Sequence, residues 1–236
     1  MGYQEDREIS VMVDSEKYRI LGRKAINVDI THRCPLECPR CQRQMSFTHK
    51  GIKVPGGDIT IEDFKKVLTI FDHINFCGQV SDPIHHPKFI QILKMIYDEG
   101  ERCMLAGLPG KSTSVHHATG YKKMDWYIKA FQANPRARWW FGIDGTPDVS
   151  HQYRINQDGQ KLFEIMCEAV NHLEQKPVWQ YIVFNYNEDH EMIERAKQMA
   201  DDAGVQFMLV YSSRWLGEND PYRPVNPELA LDLRKN

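Results

Sequence analysis

The feature that most constrains this chain is an alternation of short apolar runs with amphipathic helical patterns. The apolar runs predict strands over residues 25–30, 74–77, 102–107, 139–143, 178–184 and 207–211. Five helices are predicted between them, the first beginning at Thr60 and the last following Asp189. Because parallel strands need such crossover connections, the alternation predicts an α/β fold with a parallel sheet and outer helices. Six units are two short of a closed eight-stranded barrel, which predicts a partial (β/α)6 TIM-like barrel.

Proline and glycine residues predict where some of the helices and loops begin and end. The second helix is expected to open at Pro87 and to have Gly100 at its C-terminal end. A loop is then expected over residues 108–120, after the strand at 102–107. An irregular loop is also expected from Thr31 to Ile59, because it is rich in glycine and proline. We call this stretch, residues 31–59, the cysteine loop.

Three cysteines lie close together in the cysteine loop. Cys34, Cys38 and Cys41 are separated by three and two residues and follow the first predicted strand. Thiolates are strong, soft ligands for iron or zinc, so this spacing predicts a metal or cluster site. A closed zinc site needs four ligands, and His32 or His49 is available as the fourth. An iron–sulfur cluster held by three cysteines keeps one iron open for a small molecule.

Cys-x3-Cys-x2-Cys at the end of a first strand resembles the signature of the radical S-adenosylmethionine (SAM) superfamily. The resemblance covers about residues 24–215 and implies that Cys34, Cys38 and Cys41 ligate a [4Fe–4S] cluster. It also implies that the open iron chelates SAM, and that reduction then cleaves SAM to methionine and a 5′-deoxyadenosyl radical. The residue before the third cysteine is usually aromatic in the family, and here it is Arg40.

Two further loops resemble SAM-binding stretches of the family. Ser81-Asp82-Pro83 is similar to a Gly-Asp-Pro motif, which implies that Asp82 meets the SAM ammonium. Gly142-Ile143-Asp144-Gly145 and the later Arg154 imply contacts with the ribose hydroxyls and the methionine carboxylate. Each residue also has an ordinary structural alternative, such as capping a turn. The predicted cofactor-binding residues are Gly78, Ser81, Asp82, Asp144, Arg154 and Asn185.

Substrate contacts are expected at the same edge, since active sites of parallel α/β folds lie at the C-terminal ends of the strands. The candidates are His85, Lys111, Ser112, Tyr186, Arg214 and Trp215. His85 is equally well explained as the solvated start of a helix. Beyond the cysteines, the sequence assigns no catalytic residue and no second hydrogen donor.

Composition limits the remaining possibilities. The chain has 236 residues and a net charge of −2, which does not support a broad electrostatic contact with nucleic acid. It has no apolar run long enough for a transmembrane helix and no signal-peptide pattern, so a cytoplasmic protein is expected. Cys77, Cys103 and Cys167 are interpreted as small buried hydrophobes. The predicted division is an N-terminal extension (1–23), a core (24–215) and a C-terminal tail (216–236).

These observations predict a radical SAM enzyme whose radical abstracts hydrogen from a small molecule or a nucleoside. A role in DNA base modification is a hypothesis only. An electron donor such as a flavodoxin is the expected partner. Peptide-maturing members are disfavoured because no cysteine-rich C-terminal extension is recognisable. Glycyl-radical-activating and deazaguanine-forming enzymes stay open as alternatives, as does a non-catalytic iron–sulfur or zinc protein.

Overall fold

One parallel sheet organises the protein. The computed structural model describes residues 24–54, 56–212 and 214–226. The strands are β1 (Ala25–Asn27), β2 (His73–Phe76), β3 (Ser112–His117), β4 (Arg138–Gly142), β5 (Val178–Val183) and β6 (Gln206–Tyr211). Each strand pairs in parallel with its neighbours in chain order. Among the described residues, β1 and β6 are the two edge strands and do not pair with each other. The predicted α/β class and the six-unit partial barrel are confirmed.

Helices cover the outer face of this sheet. They are α1 (Gln42–Lys50), α2 (Ile61–Ile70), α3 (Phe89–Leu105), α4 (Met124–Ala133), α5 (Gly159–Ala169) and α6 (His190–Asp202). The caps at Thr60 and Asp189 are confirmed, since their side chains accept hydrogen bonds from the Asp63 and Met192 amides at 3.1 and 3.0 Å. The apolar core lies between the sheet and α2–α6, and it includes Phe76, Trp139 and Trp179.

The predicted third strand and the loop after it were wrong. Residues 102–105 belong to α3, which continues through Gly100, and β3 begins at Ser112. The stripe of Ile96, Gly100 and Cys103 has helical spacing and is buried, so it extends the helix past the glycine. Gly100 is needed for packing there, because a Cβ would lie 3.2 Å from the backbone N and O of Lys111.

The cysteine loop is less irregular than predicted, because it contains α1. This helix begins directly after Cys41 and ends at Gly51, which has a φ of 62° suited to glycine. None of its residues is buried.

The predicted N-terminal extension lies outside the described residues. So does the last part of the predicted tail, whereas residues 214–226 are described and contact the core. The division into extension, core and tail stays a prediction. In the described part of the chain, no helix combines the length and hydropathy that crossing a membrane requires.

Candidate active site

Loops at the carboxyl ends of the strands form the candidate site. Asp29, just beyond β1, accepts a hydrogen bond from the Ser81 hydroxyl at 2.8 Å and one from the Val80 amide at 3.4 Å. The Asp82 amide donates to the Arg33 carbonyl at 3.0 Å. These contacts fix the loop after β2 against the cysteine loop, as expected for neighbouring parallel strands. Asp29 was not singled out from the sequence, because a single aspartate after a strand carries no specific pattern.

The three predicted cluster cysteines lie on one loop at this edge, each partly exposed. Burial raises the pKa of the Cys34 thiol to about 12, and the charge of Asp82 adds to the shift. Burial also raises the pKa of Cys38 to about 11, although the guanidinium of Arg154 opposes it. These thiols are therefore neutral near pH 7 in the metal-free chain. A bound cation would have to displace their protons, as metal ions do at thiol ligands.

The donor set fits an iron–sulfur cluster. Three soft thiols lie on one loop, and the Cys41 amide donates to the Cys38 carbonyl at 3.0 Å, which gives the last two a tight turn. Among the described residues, no three His, Cys, Asp or Glu side chains are grouped closely enough to hold one metal ion. A cubane cluster places a different iron at each cysteine, so its ligands are spread further apart than those of a single zinc ion.

A buried ion pair lies beside the cysteines. Arg154 Nε is 2.7 Å from Asp144 Oδ2, and the two side chains are 14% and 0% exposed. Burial raises the pKa of Asp144, and Arg154 opposes that shift. Burial alone would lower the pKa of Arg154, but Asp144 and Cys38 raise it, and the net direction is upward. The structure thus brings together Cys38, Asp144 and Arg154, three residues predicted for the cluster and SAM.

This ion pair is held by several contacts. Asp144 Oδ1 accepts from the Ile182 amide at 2.9 Å and from Arg154 Nη2 at 3.3 Å. Asp144 Oδ2 and Arg154 Nε are buried and lie 2.7 Å apart, so each is the ionic partner of the other. The loop after β4 therefore carries a carboxylate and a guanidinium in a fixed arrangement.

Gly142 makes room for the guanidinium. A Cβ at this position would lie 2.6 Å from Nη2 and 2.8 Å from Cζ of Arg154. Because Gly142 ends β4, the strand itself forms the wall against which Arg154 lies. The sequence motif included Gly142, but its packing role required the structure.

A polar network holds the loop that follows β4. The Asp144 amide donates to the Ser150 hydroxyl at 2.8 Å, and that hydroxyl donates to Gln157 Oε1 at 2.5 Å. Gln157 Nε2 donates to the carbonyls of Ala118 and Gly142, at 2.7 and 2.8 Å. Gln157 therefore ties together the ends of β3 and β4. Nothing in the sequence around Gln157 indicates this, since its partners lie up to 39 residues away.

Replacing Gln157 with alanine is expected to lower the free energy of unfolding by about 2–3 kcal/mol, because it leaves three buried polar groups unpaired. Urea denaturation followed by circular dichroism measures the loss. Gln160→Ala, on the exposed side of α5, serves as the matched control and should change stability by less than about 0.5 kcal/mol. Equal losses in the two variants would contradict the network's role.

Asp82 is buried and has protein partners. Its Oδ2 accepts from the Ala118 amide at 2.9 Å and the Thr119 hydroxyl at 3.0 Å, while Oδ1 accepts from the Ile84 amide at 3.3 Å. It caps the 3-10 turn Pro83–His85, as the alternative interpretation expected. Its predicted contact with the SAM ammonium stays a prediction. Burial raises its pKa to about 6, although these hydrogen bonds oppose the shift.

Asp82 is expected to make stability depend on pH. Its pKa is about 6 when folded and 3.8 in the reference state, so between these values the folded protein binds more protons. Stability should therefore fall by roughly 3 kcal/mol in total as the pH rises from about 3 to about 7. Urea denaturation of Asp82→Asn at several pH values should show a free energy of unfolding that lacks this dependence on pH. The exposed variant Asp98→Asn should retain it. Parallel profiles for the wild type and Asp82→Asn would exclude this assignment.

The loop after β5, which carries the predicted ligand residue Asn185, is shaped by Asn187. Asn187 is buried, its Oδ1 accepts from the Phe184 amide at 2.7 Å, and its Nδ2 donates to the Ile182 carbonyl at 3.0 Å. Asn185 is exposed and donates its amide to the Tyr222 carbonyl at 3.2 Å. It does not cap α6, since Asp189 does. A ligand contact by Asn185 stays a prediction.

The substrate candidates are divided between the two ends of the sheet. Lys111 and Ser112 lie at the start of β3, at the amino end, where Lys111 pairs with Asp72 at 3.1 Å and Ser112 bonds His73 at 2.9 Å. The expectation that they follow a strand was therefore wrong, because residues 102–105, which were predicted as part of that strand, belong to α3.

The other candidates lie at the carboxyl edge. The Tyr186 hydroxyl donates to the Asp144 carbonyl at 2.9 Å, and Trp215 packs edge-on against Phe184. Arg214 is exposed next to it. His85 accepts or donates a hydrogen bond with Thr119 at 3.0 Å, and burial lowers its pKa to about 4. Gly78 has a φ of 59°, and Ser81 is bound to Asp29, so both help to shape the loop after β2.

The six-stranded partial barrel is also found in solved structures of other proteins. Streptococcus suis SuiB bound to the precursor peptide SuiA superposes with a TM-score of 0.67 at 9% identity, over 93% of this chain and 47% of that one. SuiB bound to S-adenosylmethionine gives 0.65 at 9% identity, over 93% and 49%. Methylornithine synthase (PylB) gives 0.56 at 11% identity, over 86% and 58%.

One curated sequence is also similar. The PqqA peptide cyclase of Bradyrhizobium diazoefficiens (strain USDA 110) is 30% identical over 81 residues, which are 32% of this chain and 20% of that protein. No protein-family model matches the chain. The chain thus spans about half the length of the similar solved structures and a fifth of the curated relative.

Proposed function

We propose that this chain is a radical SAM enzyme. Cys34, Cys38 and Cys41 hold a [4Fe–4S] cluster, and SAM binds beside it. When bound, this cofactor pair supplies a 5′-deoxyadenosyl radical, which abstracts hydrogen from a substrate. The observation that carries the proposal is the placement of Cys38, one of three thiols on one loop, beside the buried Asp144–Arg154 pair at the carboxyl edge of the barrel.

The chain's own residues bind and orient the cofactor. Arg154 provides the positive charge that attracts the methionine carboxylate, and Asp144 is the proposed partner of a ribose hydroxyl. Gly142, Ser150 and Gln157 hold this pair in place. The low exposure of Asp144 and Arg154 excludes water, which strengthens both interactions.

A peptide is the substrate class with the most support. One similar sequence is named a peptide cyclase, and one similar structure contains a precursor peptide. The sequence-based argument against peptide substrates rested on the lack of a recognisable cysteine-rich extension after β6, which does not bear on the barrel itself. Nucleosides and modified DNA bases have no support in these comparisons. A flavodoxin-like protein stays the proposed electron donor.

The test is anaerobic cluster reconstitution, followed by chromatography for 5′-deoxyadenosine after addition of SAM and dithionite. Wild-type protein and Cys103→Ala should be brown and should form the product, because Cys103 is buried in α3 away from the cysteine loop. Cys38→Ala should form none. A colourless wild-type protein that retains zinc, or a full cluster without product from any SAM and peptide mixture, would refute the proposal.

A further inference from the structure

A buried ion pair joins the cysteine loop to the C-terminal segment, which we define as residues 214–226. Arg40 lies between the second and third cysteines. Its Nε donates to Asp220 Oδ2 at 2.6 Å and its Nη2 to Oδ1 at 3.0 Å. The side chains of Arg40 and Asp220 are 12% and 0% exposed. Since this contact is bidentate and withdrawn from water, it fixes both distance and orientation.

Asp220 also determines the shape of the C-terminal segment. Its Oδ2 accepts from the Leu216 amide at 2.8 Å, and its Oδ1 accepts from the Tyr222 amide at 3.0 Å. The guanidinium of Arg40 lies over the Tyr222 ring, 5.2 Å from its centroid. One carboxylate therefore folds the segment around itself and fastens it to Arg40.

The segment lies against the loops that carry the predicted SAM residues. Tyr222 packs edge-on against Tyr153, the neighbour of Arg154, with ring centroids 5.4 Å apart. Its carbonyl accepts from the Asn185 amide at 3.2 Å. Trp215 packs against Phe184, whose ring stacks on Tyr153 at 3.9 Å. The segment thus reaches the loops after both β4 and β5.

We propose that Arg40 and Asp220 are a positioning pair for the SAM site. The pair holds Tyr222 and Trp215 against the loops after β4 and β5, and so keeps that side of the SAM site closed. Arg40 stands where the radical SAM family usually has an aromatic residue, and here the Tyr222 ring of the C-terminal segment lies against its guanidinium. This inference rests on the proposed function.

Two variants test the pair. Arg40→Met removes the guanidinium and keeps an unbranched side chain. Arg40→Lys keeps the positive charge but loses the bidentate contact with Asp220. Hydrogen exchange on the metal-free protein should be faster in peptides covering residues 214–226 of Arg40→Met, because the Leu216 and Tyr222 amides are released. In reconstituted protein, calorimetry should show SAM binding weakened by about tenfold or more in Arg40→Met and less in Arg40→Lys.

Arg136→Met is the matched control, because Arg136 pairs with Glu101 and Glu174 at the outer surface. It should leave both the SAM affinity and the exchange of residues 214–226 unchanged. The electron paramagnetic resonance spectrum of the reduced cluster should still change on SAM addition in this control. A lower Tm of Arg40→Met with unchanged SAM affinity would overturn the inference, since the pair would then be structural only. Absence of SAM binding in the wild type would instead refute the proposed function.

Discussion

Replacing Asp144 with alanine is expected to lower the free energy of unfolding by about 3–5 kcal/mol, because it leaves a buried guanidinium without its carboxylate. Arg154 has no other carboxylate among its described partners, and Asp144 also accepts the Ile182 amide at 2.9 Å. Denaturant unfolding of the metal-free protein measures the loss. The reconstituted variant should also bind SAM more weakly, since the acceptor assigned to the ribose is gone.

Two comparisons isolate the ion pair. Asp63→Ala removes an exposed partner of Lys66 and Thr60 on α2 and should lower the free energy of unfolding much less than Asp144→Ala does. The double variant Asp144→Leu/Arg154→Met should be more stable than Asp144→Ala, because no buried charge is left unpaired. If the double variant instead lost the sum of the two single effects, the pair would not be coupled, and the interpretation of Asp144 and Arg154 as one unit would fail.

Replacing Gly142 with alanine is expected to cost about 1–3 kcal/mol, the usual cost of overpacking, and to displace the guanidinium of Arg154. The added methyl would lie 2.6 Å from Nη2, so the guanidinium must move away from its position beside Asp144. Thermal unfolding measures the first effect, and calorimetric titration of the reconstituted protein with SAM measures the second.

Gly57 offers the matched control, since a Cβ there would meet nothing within 4 Å. Gly57→Ala should leave stability and SAM binding unchanged. Gly142→Ala should lower the free energy of unfolding much less in the Arg154→Met background, because the clashing guanidinium has been removed. An equal cost in both backgrounds would show that Gly142 serves the strand and not the guanidinium.

The periodicity of the sequence predicted most of the fold because each strand carries its own apolar run. Trp139, Phe141 and Val183 lie in such runs and are fully buried. The third unit failed because β3 is polar, with serine and histidine at several positions, while the end of α3 is apolar enough to imitate a strand. The misplacement of Lys111 and Ser112 followed from that one error.

The candidate site was predictable where its residues form a local motif. Cys34, Cys38 and Cys41 share one short stretch, and Asp144 follows a strand directly. The roles of Asp29, Gln157 and Asn187 could not be predicted, because single polar residues carry no pattern and their partners are set by the packing of loops. Distance in the chain also hid the partner of Arg40, whose contact with Asp220 spans 180 positions.

That long separation bears on how the protein is made. A ribosome releases the chain from its N-terminal end, so the cysteine loop emerges long before Asp220 does. The Arg40–Asp220 contact can form only after residue 220 has been translated, and contacts between distant segments are slow to form. If the cysteine loop binds the proposed cluster, we expect its thiols to be accessible to iron and sulfide donors until β6 and the C-terminal segment have been translated.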